Sequence, residues 1–128
     1  IKPNVDGTYQ IPDGNLFEKT DSTARPEIYV MGARNPYRIG FDERRRYLYW
    51  GDVGPDAGQA SVENPTSYDE FNQAKKPGYF GWPYFIGANY AYSDFDFTAQ
   101  IHGPKQNVAA PENNSPNNVG KKILPPAQ

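Results

Sequence analysis

The chain has 128 residues, and 13 Lys and Arg against 15 Asp and Glu give a formal net charge of −2. This length predicts one domain, and the slightly acidic balance argues against a dedicated nucleic-acid or anionic-membrane binder, which would present a broad cationic surface. The absence of Cys excludes a disulfide framework and a thiolate metal site. No apolar run approaches the ~18–20 residues of a membrane span, and the start, Ile1–Asn4, is neither a signal peptide nor an initiating Met. We therefore expect an excerpt of a longer protein.

Short aromatic and β-branched runs, bounded by turn residues, predict strands rather than helices. With 12 Gly and 13 Pro spread along the chain, no stretch has the apolar spacing of an amphipathic helix. The predicted strands are Glu27–Met31, Tyr37–Phe41 and Tyr47–Asp52, with weaker strand signals around Tyr9 and at Tyr79–Phe85. Because aromatic residues make up 15% of the chain, we expect most of it to be ordered.

Tyr37–Phe41 and Tyr47–Asp52 are predicted to form an antiparallel hairpin, because only the polar segment 42–46 separates them. The Arg triplet of that segment is expected to be its solvated tip rather than a nucleic-acid contact. Tyr47–Trp50 is apolar on both faces, which predicts an interior strand covered on both sides. A chain this short can hardly cover both, so stacked sheets of a larger body are implied.

Two further segments are less regular. In 65–76, Ser67 followed by Glu70 matches a helix capping box, and the composition favours a short helix. The tail from Gly103 onward is rich in Pro and Asn and is expected to be a long loop.

The segment 52–58 is a tight Gly/Pro turn beside two carboxylates, Asp52 and Asp56. It does not match the EF-hand pattern, but its backbone carbonyls and carboxylates are donors suited to a hard cation. A plain strand-ending turn, with Asp side chains capping backbone amides, explains the segment equally well. The single His, His102, has no Ser, Cys or carboxylate at a diagnostic spacing and is expected to be solvated.

Arg34 and Asn35 stand at the start of a predicted strand, directly before Pro36. An Arg fork suits bidentate recognition of carboxylates or phosphates, and Asn adds a donor and an acceptor. The pair therefore indicates an anionic ligand, and the alternative is a structural Arg bonded to loop carbonyls.

Four ordered blocks together resemble successive motifs of the glucose/sorbosone dehydrogenase family, soluble quinoproteins that oxidise sugars with pyrroloquinoline quinone (PQQ). The blocks are residues 32–42 (GARNPYRIGFD), 47–55 (YLYWGDVGP), 68–72 (YDEFN) and 78–83 (GYFGWP). The resemblance covers residues 32 to about 87.

The resemblance implies an all-β fold, a segment of a six-bladed β-propeller with long loops. Residues 1–31 would be the end of the preceding blade and its connection, 32–92 the blade core with the cofactor-side loops, and 93–128 a Pro/Asn-rich loop toward the next blade. It also favours a strand rather than a helix over 68–74.

By the same resemblance, Arg34 and Asn35 would contact the quinone at the mouth of the central channel. Tyr37, where glucose dehydrogenases carry Gln, would be the third cofactor position. Gly54 and Pro55 would offer carbonyl oxygens to a Ca²⁺ ion that polarises the quinone, with Asp52 or Asp56 assisting.

The implied function is a segment of a PQQ- and Ca²⁺-dependent sugar dehydrogenase that transfers hydride from a sugar or aldose. The alternative is a non-catalytic propeller of the same fold that acts as a binding module. The family's general-base His lies outside this segment and His102 does not match it, so the isolated segment is expected to be inactive. Expected partners are a sugar, an electron acceptor that the resemblance leaves open, and the remaining blades or other copies of the chain. The expected location is the periplasm or outside the cell.

Overall fold

The computed structural model describes all residues, 1–128, and every regular element in it is a β-strand. The strands are β1 Lys2–Pro3, β2 Tyr9–Gln10, β3 Val30–Met31, β4 Pro36–Asp42, β5 Tyr47–Asp52, β6 Glu70–Ala74, β7 Gly78–Tyr79, β8 Phe85–Ile86, β9 Tyr90–Ala91, β10 Ser93–Asp96 and β11 Ile101–Lys105. No helix is present that could cross a membrane. The prediction of an all-β chain is confirmed.

The main element is the antiparallel sheet β4-β5-β6. β4 and β5 form the predicted hairpin, closed by a hydrogen bond of 2.7 Å from the Arg46 amide to the Asp42 carbonyl. The Asp42 carboxylate also accepts the Arg45 amide at 2.9 Å, which stabilises the solvated tip. This hairpin forms where predicted because two apolar segments, alternating in β4 and continuous in Tyr47–Trp50, flank a polar turn.

Residues 70–74 form a strand, as the family resemblance indicated, and not the helix that the capping box favours. β6 pairs with the free edge of β5, with Trp50 opposite Asn72. The Glu70 carboxylate accepts the amide of Gly87 at 2.5 Å rather than reaching back to a helix N-terminus. Sheet pairing and tertiary hydrogen bonding therefore override the local helix propensity.

A short parallel pair, β3–β7, joins the two ends of the segment that contains the main sheet. Val30 lies opposite Gly78, and the Phe80 amide donates to the Met31 carbonyl at 2.8 Å. Gly32 follows β3 with a φ of +84°, and a Cβ at this position would lie 2.6 Å from Cε2 of Tyr79. Only Gly fits this turn, for both its backbone angle and its close packing.

The core is small and lies on one face of the main sheet. It consists of the buried side chains of Phe17, Trp50, Ala74, Tyr79, Phe85 and Ile86. Trp50 packs on Phe80 in an edge-to-face arrangement with ring centroids 4.7 Å apart.

The opposite face of the main sheet is uncovered. Only 11 of 128 residues are buried. Even on the core side, Ile39, which lies opposite Trp50 in the edge strand β4, is 67% exposed. On the face away from Trp50, Phe71 is 98% exposed. Tyr49 is also exposed, so β5 is covered on one side only, which differs from the expectation of a strand buried on both faces. The reason is the one expected from the sequence, namely that this chain does not itself supply a second sheet.

The tail differs from the expected plain loop, because β10 and β11 form an additional antiparallel hairpin. Its turn is closed by the Asp96 carboxylate, which accepts the amides of Thr98 and Ala99 at 2.8 and 3.0 Å. The last residues return to the core, where the Gln128 amide donates to the Tyr79 carbonyl at 2.9 Å. The tail is therefore packed on the rest of the chain.

Candidate functional site

The candidate site begins at the turn that leads into β4, where a buried carboxylate fixes two consecutive backbone amides. Asp52 ends β5 and is 6% exposed. Its Oδ2 accepts the amide of Arg34 at 3.0 Å and its Oδ1 accepts the amide of Asn35 at 2.6 Å. The Val53 amide donates in turn to the Asn35 carbonyl at 3.1 Å. Three hydrogen bonds thus hold the backbone of this turn against the end of β5.

The Arg34 side chain is held at two points. Its Nη1 donates to the Val53 carbonyl at 3.0 Å, and its Cζ lies 5.5 Å from the centroid of the Trp82 ring. Trp82 is supported in turn by Tyr92, whose ring is nearly perpendicular to it with ring centroids 6.0 Å apart. A guanidinium has five N–H donors, and the single internal hydrogen bond leaves most of the Arg34 fork available to a ligand.

Asn35 and Tyr37 are exposed neighbours of Arg34. Pro36 pairs with Asp52 and Arg38 with Gly51, so Tyr37 is the extra residue of a β-bulge. Bulges re-aim side chains at the ends of strands, which explains how Tyr37 departs from the regular alternation of β4. The structure therefore brings the three predicted cofactor residues to one end of the sheet.

The loop after Asp52 is anchored through Gly54. Its amide donates to the Asp69 carboxylate at 2.9 Å, and a Cβ at this position would overlap the Tyr68 carbonyl oxygen. The Gly54 carbonyl oxygen accepts no hydrogen bond, whereas the Pro55 carbonyl accepts the Ala57 amide at 2.9 Å. Loop packing therefore demands Gly at position 54 and leaves its carbonyl oxygen free.

The predicted metal residues differ in their surroundings. Both oxygens of Asp52 accept backbone amides, so its carboxylate acts in this chain as the cap of a turn. Asp56 is exposed and makes no hydrogen bond. No group of three or more His, Cys, Asp and Glu side chains is arranged as a metal site. The oxygen donors left free here are the Gly54 carbonyl and the Asp56 carboxylate.

A shallow depression connects the Arg34 turn with the Gly54 loop. It is lined by Arg34, Asp52, Val53, Gly54, Tyr68, Glu70, Trp82, Phe85 and Ile86. Beside it, the buried Tyr92 hydroxyl has no hydrogen-bond partner. Burial raises the pKa of Tyr92, opposed by the nearby Arg34 charge and reinforced by Glu70. His102 lies elsewhere on β11 and is exposed, as the sequence predicts, with its ring 4.9 Å from that of Phe95.

Sequence reasoning did not assign roles to Trp82, Tyr92 or Asp69, although each supports a site residue. Trp82 belongs to one of the four recognised blocks, and its side chain contacts Arg34 from a distant part of the chain. Asp69 belongs to another block. The signal available in the sequence was an aromatic residue, Trp82, between a Gly and a Pro. Its partner, Arg34, could not be identified without the fold.

Residues 2–117 match the Glucose / Sorbosone dehydrogenase family. Among curated proteins, HIPL1 protein of Arabidopsis thaliana is 37% identical over 82 residues, which are 63% of this chain and 10% of that protein. Aldose sugar dehydrogenase YliI of Escherichia coli (strain K12) is 35% identical over 83 residues, which are 64% of this chain and 19% of that protein.

Quinoprotein glucose dehydrogenase B of Acinetobacter calcoaceticus is 28% identical over 138 aligned positions, covering 98% of this chain and 25% of that protein. The chain thus spans between a tenth and a quarter of the length of these relatives. No solved structure matches the chain significantly. The family match covers nearly the whole chain, and both the Arg34 turn and the Gly54 loop lie within the matched residues. The chain belongs to the glucose/sorbosone dehydrogenase family.

Proposed function

We propose that this chain is a cofactor-facing segment of a quinoprotein sugar dehydrogenase that oxidises a sugar or aldose by hydride transfer to PQQ with Ca²⁺. The observation that carries the proposal is the Arg34 turn, in which a buried carboxylate fixes the backbone while most of the guanidinium donors stay free. Membership of the family supports it, as do relatives named as sugar dehydrogenases.

The residues at the end of β4 suit a planar ligand with several carboxylates. The Arg34 fork can bind a carboxylate by two parallel hydrogen bonds, and the charge strengthens both. Asn35 and Tyr37 add a carboxamide and a phenol at the same end of β4, and neither side chain makes an internal hydrogen bond. The Tyr37 ring lies against the guanidinium of Arg38, whose Cζ is 4.7 Å from its centroid. When bound, PQQ would supply the hydride-accepting carbonyl. The role of these residues is to bind and orient it.

For Ca²⁺, the free Gly54 carbonyl and the Asp56 carboxylate are oxygen donors of the kind that this hard cation prefers. Pro55 would contribute its carbonyl oxygen in addition to the hydrogen bond that it already accepts. Asp52 would assist indirectly, because its carboxylate holds the turn beside the loop. The remaining ligands would come from elsewhere in the complete protein.

We place the segment within a six-bladed propeller whose other blades supply the general base and cover the bare sheet face. The uncovered side chains of Tyr49 and Phe71 on that face, and of Ile39 on the edge strand β4, support this arrangement, because large exposed apolar patches are unusual on a free monomer. The segment boundaries expected from the sequence, 1–31, 32–92 and 93–128, would then separate the preceding blade, this blade core and the connection onward. We propose a periplasmic or secreted location, as for a soluble quinoprotein acting on sugars.

The test is a titration of the complete protein with PQQ in the presence and absence of Ca²⁺, followed by quinone absorbance and by reduction of an artificial dye with aldoses. We expect Ca²⁺-dependent binding and sugar-dependent dye reduction. A folded protein that binds no PQQ at any Ca²⁺ concentration would refute the proposal and favour a non-catalytic binding module. Chelation of Ca²⁺ with recovery on re-addition is the matched control.

A further inference from the structure

We infer that Asp52 is a positioning residue that presets Arg34 and Asn35 for an anionic, planar ligand, rather than a ligand of the cation itself. This inference rests on the proposed function for the identity of the ligand. Its structural part rests on the hydrogen bonds of a single carboxylate.

The geometry of Asp52 is that of a two-pronged cap. One oxygen takes the amide of Arg34 at 3.0 Å and the other takes the amide of Asn35 at 2.6 Å. An Asp at this depth, 6% exposed, must have its charge compensated by hydrogen bonds, and these two amides provide that compensation. The buried carboxylate therefore needs the two amides of the turn, and the turn needs the carboxylate to hold its backbone.

The backbone that Asp52 fixes also determines where the Arg34 side chain lies. The amides bonded to Asp52 belong to the two residues that carry the free guanidinium and carboxamide. The residue after Asp52, Val53, supplies the carbonyl that orients the guanidinium at 3.0 Å. At the end of β5, the Asp52 side chain therefore holds the backbone of the turn, and the Val53 carbonyl holds the Arg34 guanidinium.

A turn that is already ordered before the ligand binds increases the affinity, because no conformational entropy is lost in ordering it on binding. A misplacement of about 1 Å in a binding group can lower a rate about a hundredfold, and loss of supporting partners typically weakens a site about ten- to a hundredfold. Asp52→Asn keeps the shape of the side chain but turns an amide nitrogen toward one of the two backbone N–H groups. We expect it to weaken PQQ binding about tenfold or more while the protein stays folded.

The decisive measurement is a double-mutant cycle in the complete protein with PQQ as the probe. If Asp52 acts through Arg34, most of the affinity lost in Asp52→Asn disappears when Arg34→Ala is already present. Asp42→Asn is the control, because Asp42 also caps a backbone amide of the same hairpin, at 2.9 Å, but at the opposite end. That variant should keep the wild-type PQQ affinity.

A second measurement needs no cofactor. In the unliganded wild-type protein, the amides of Arg34 and Asn35 should exchange slowly with solvent although neither belongs to a strand. In Asp52→Asn both should exchange faster while the amides of β6 stay protected, which also verifies the fold. Fast exchange of both amides in the wild type would overturn the inference even if the variant did not fold.

The outcomes separate the two proposals. Additive losses in the cycle, or unchanged affinity in Asp52→Asn, would overturn the positioning role and leave the proposed function standing. A wild-type protein that fails to bind PQQ would overturn the proposed function, and the amide exchange would still decide whether Asp52 fixes the turn.

Discussion

Replacing Arg34 with Ala should weaken PQQ binding far more than it affects the folded population. In the structure the guanidinium makes one hydrogen bond, to the Val53 carbonyl at 3.0 Å, and one cation–π contact with Trp82 at 5.5 Å. Both contacts are at the surface, because Arg34 is itself exposed. The folded state therefore depends little on this side chain.

The magnitudes can be compared directly. An exposed cation–π contact contributes about 0.5–1 kcal/mol and a solvent-accessible hydrogen bond about 1 kcal/mol, so the free energy of unfolding should fall by about 1–2 kcal/mol. In a domain with a typical stability of about 5–15 kcal/mol, more than 99% of the molecules stay folded. Loss of a charge-assisted contact to a carboxylate, worth about 1.5–3 kcal/mol, should raise the PQQ Kd about ten- to a hundredfold.

The assay measures both quantities on the same variants of the complete protein, by thermal melting and by PQQ titration in Ca²⁺. Arg34→Lys should recover part of the affinity, because it keeps the charge and loses the planar fork. Arg45→Ala is the matched control, since Arg45 also donates through Nη1, to Asp42 at 3.1 Å, at the far end of the hairpin. Unchanged PQQ affinity in a folded but destabilised Arg34→Ala protein would show that Arg34 is a structural residue.

Three further expectations follow from the packing. Gly54→Ala should destabilise the protein by about 1–3 kcal/mol, because its Cβ would overlap the Tyr68 carbonyl, and an unchanged midpoint in urea would contradict this packing. The Asp21 carboxylate accepts hydrogen bonds from Lys121 at 2.5 Å and from the hydroxyl and amide of Thr23, and together these lower the pKa of Asp21 from 3.8 to about 2. The Lys121–Asp21 contact should therefore contribute its full stability above about pH 4 and lose it as the pH falls through about 2. Lys121→Met should move the pKa of Asp21 part of the way back toward 3.8 in a carboxyl NMR titration, because the Thr23 hydrogen bonds remain. The isolated 128-residue chain should self-associate through its bare sheet face, and Phe71→Ser should reduce the association seen by analytical ultracentrifugation; a monomer with a cooperative transition at high temperature would contradict this.

The local parts of the fold were predictable because the relevant contacts lie close together in the sequence. The β4–β5 hairpin follows from two apolar segments around a polar turn, and β5 has the predicted bounds, Tyr47–Asp52. The β10–β11 hairpin escaped notice because its turn, 97–100, contains none of the residues that usually mark one and is closed instead by the Asp96 side chain. Turn chemistry supplied by a preceding side chain is difficult to recognise in a single sequence.

The candidate site was predictable in its residues but not in its contacts. Arg34 and Gly54 stand out by residue type and by their place in recognised blocks. That Asp52 caps the Arg34 turn depends on the pairing of β4 with β5, and a strand-ending Asp reads equally well as a cation ligand. The contact of Trp82 with Arg34 depends on how the chain returns through β7, which no local pattern encodes.

The parallel pair β3–β7 has a consequence for the order in which the molecule folds. The main sheet is a meander of neighbouring strands, each pairing with the next along the chain. The pair of Val30 with Gly78 instead closes a loop around that whole sheet, and closing a long loop costs chain entropy before its contacts form. We expect the meander to form early and β3–β7 to form late. Because the Arg34 turn is capped from β5, it can be ordered within the early unit, so a nascent chain could acquire its ligand-facing turn before the surrounding core closes.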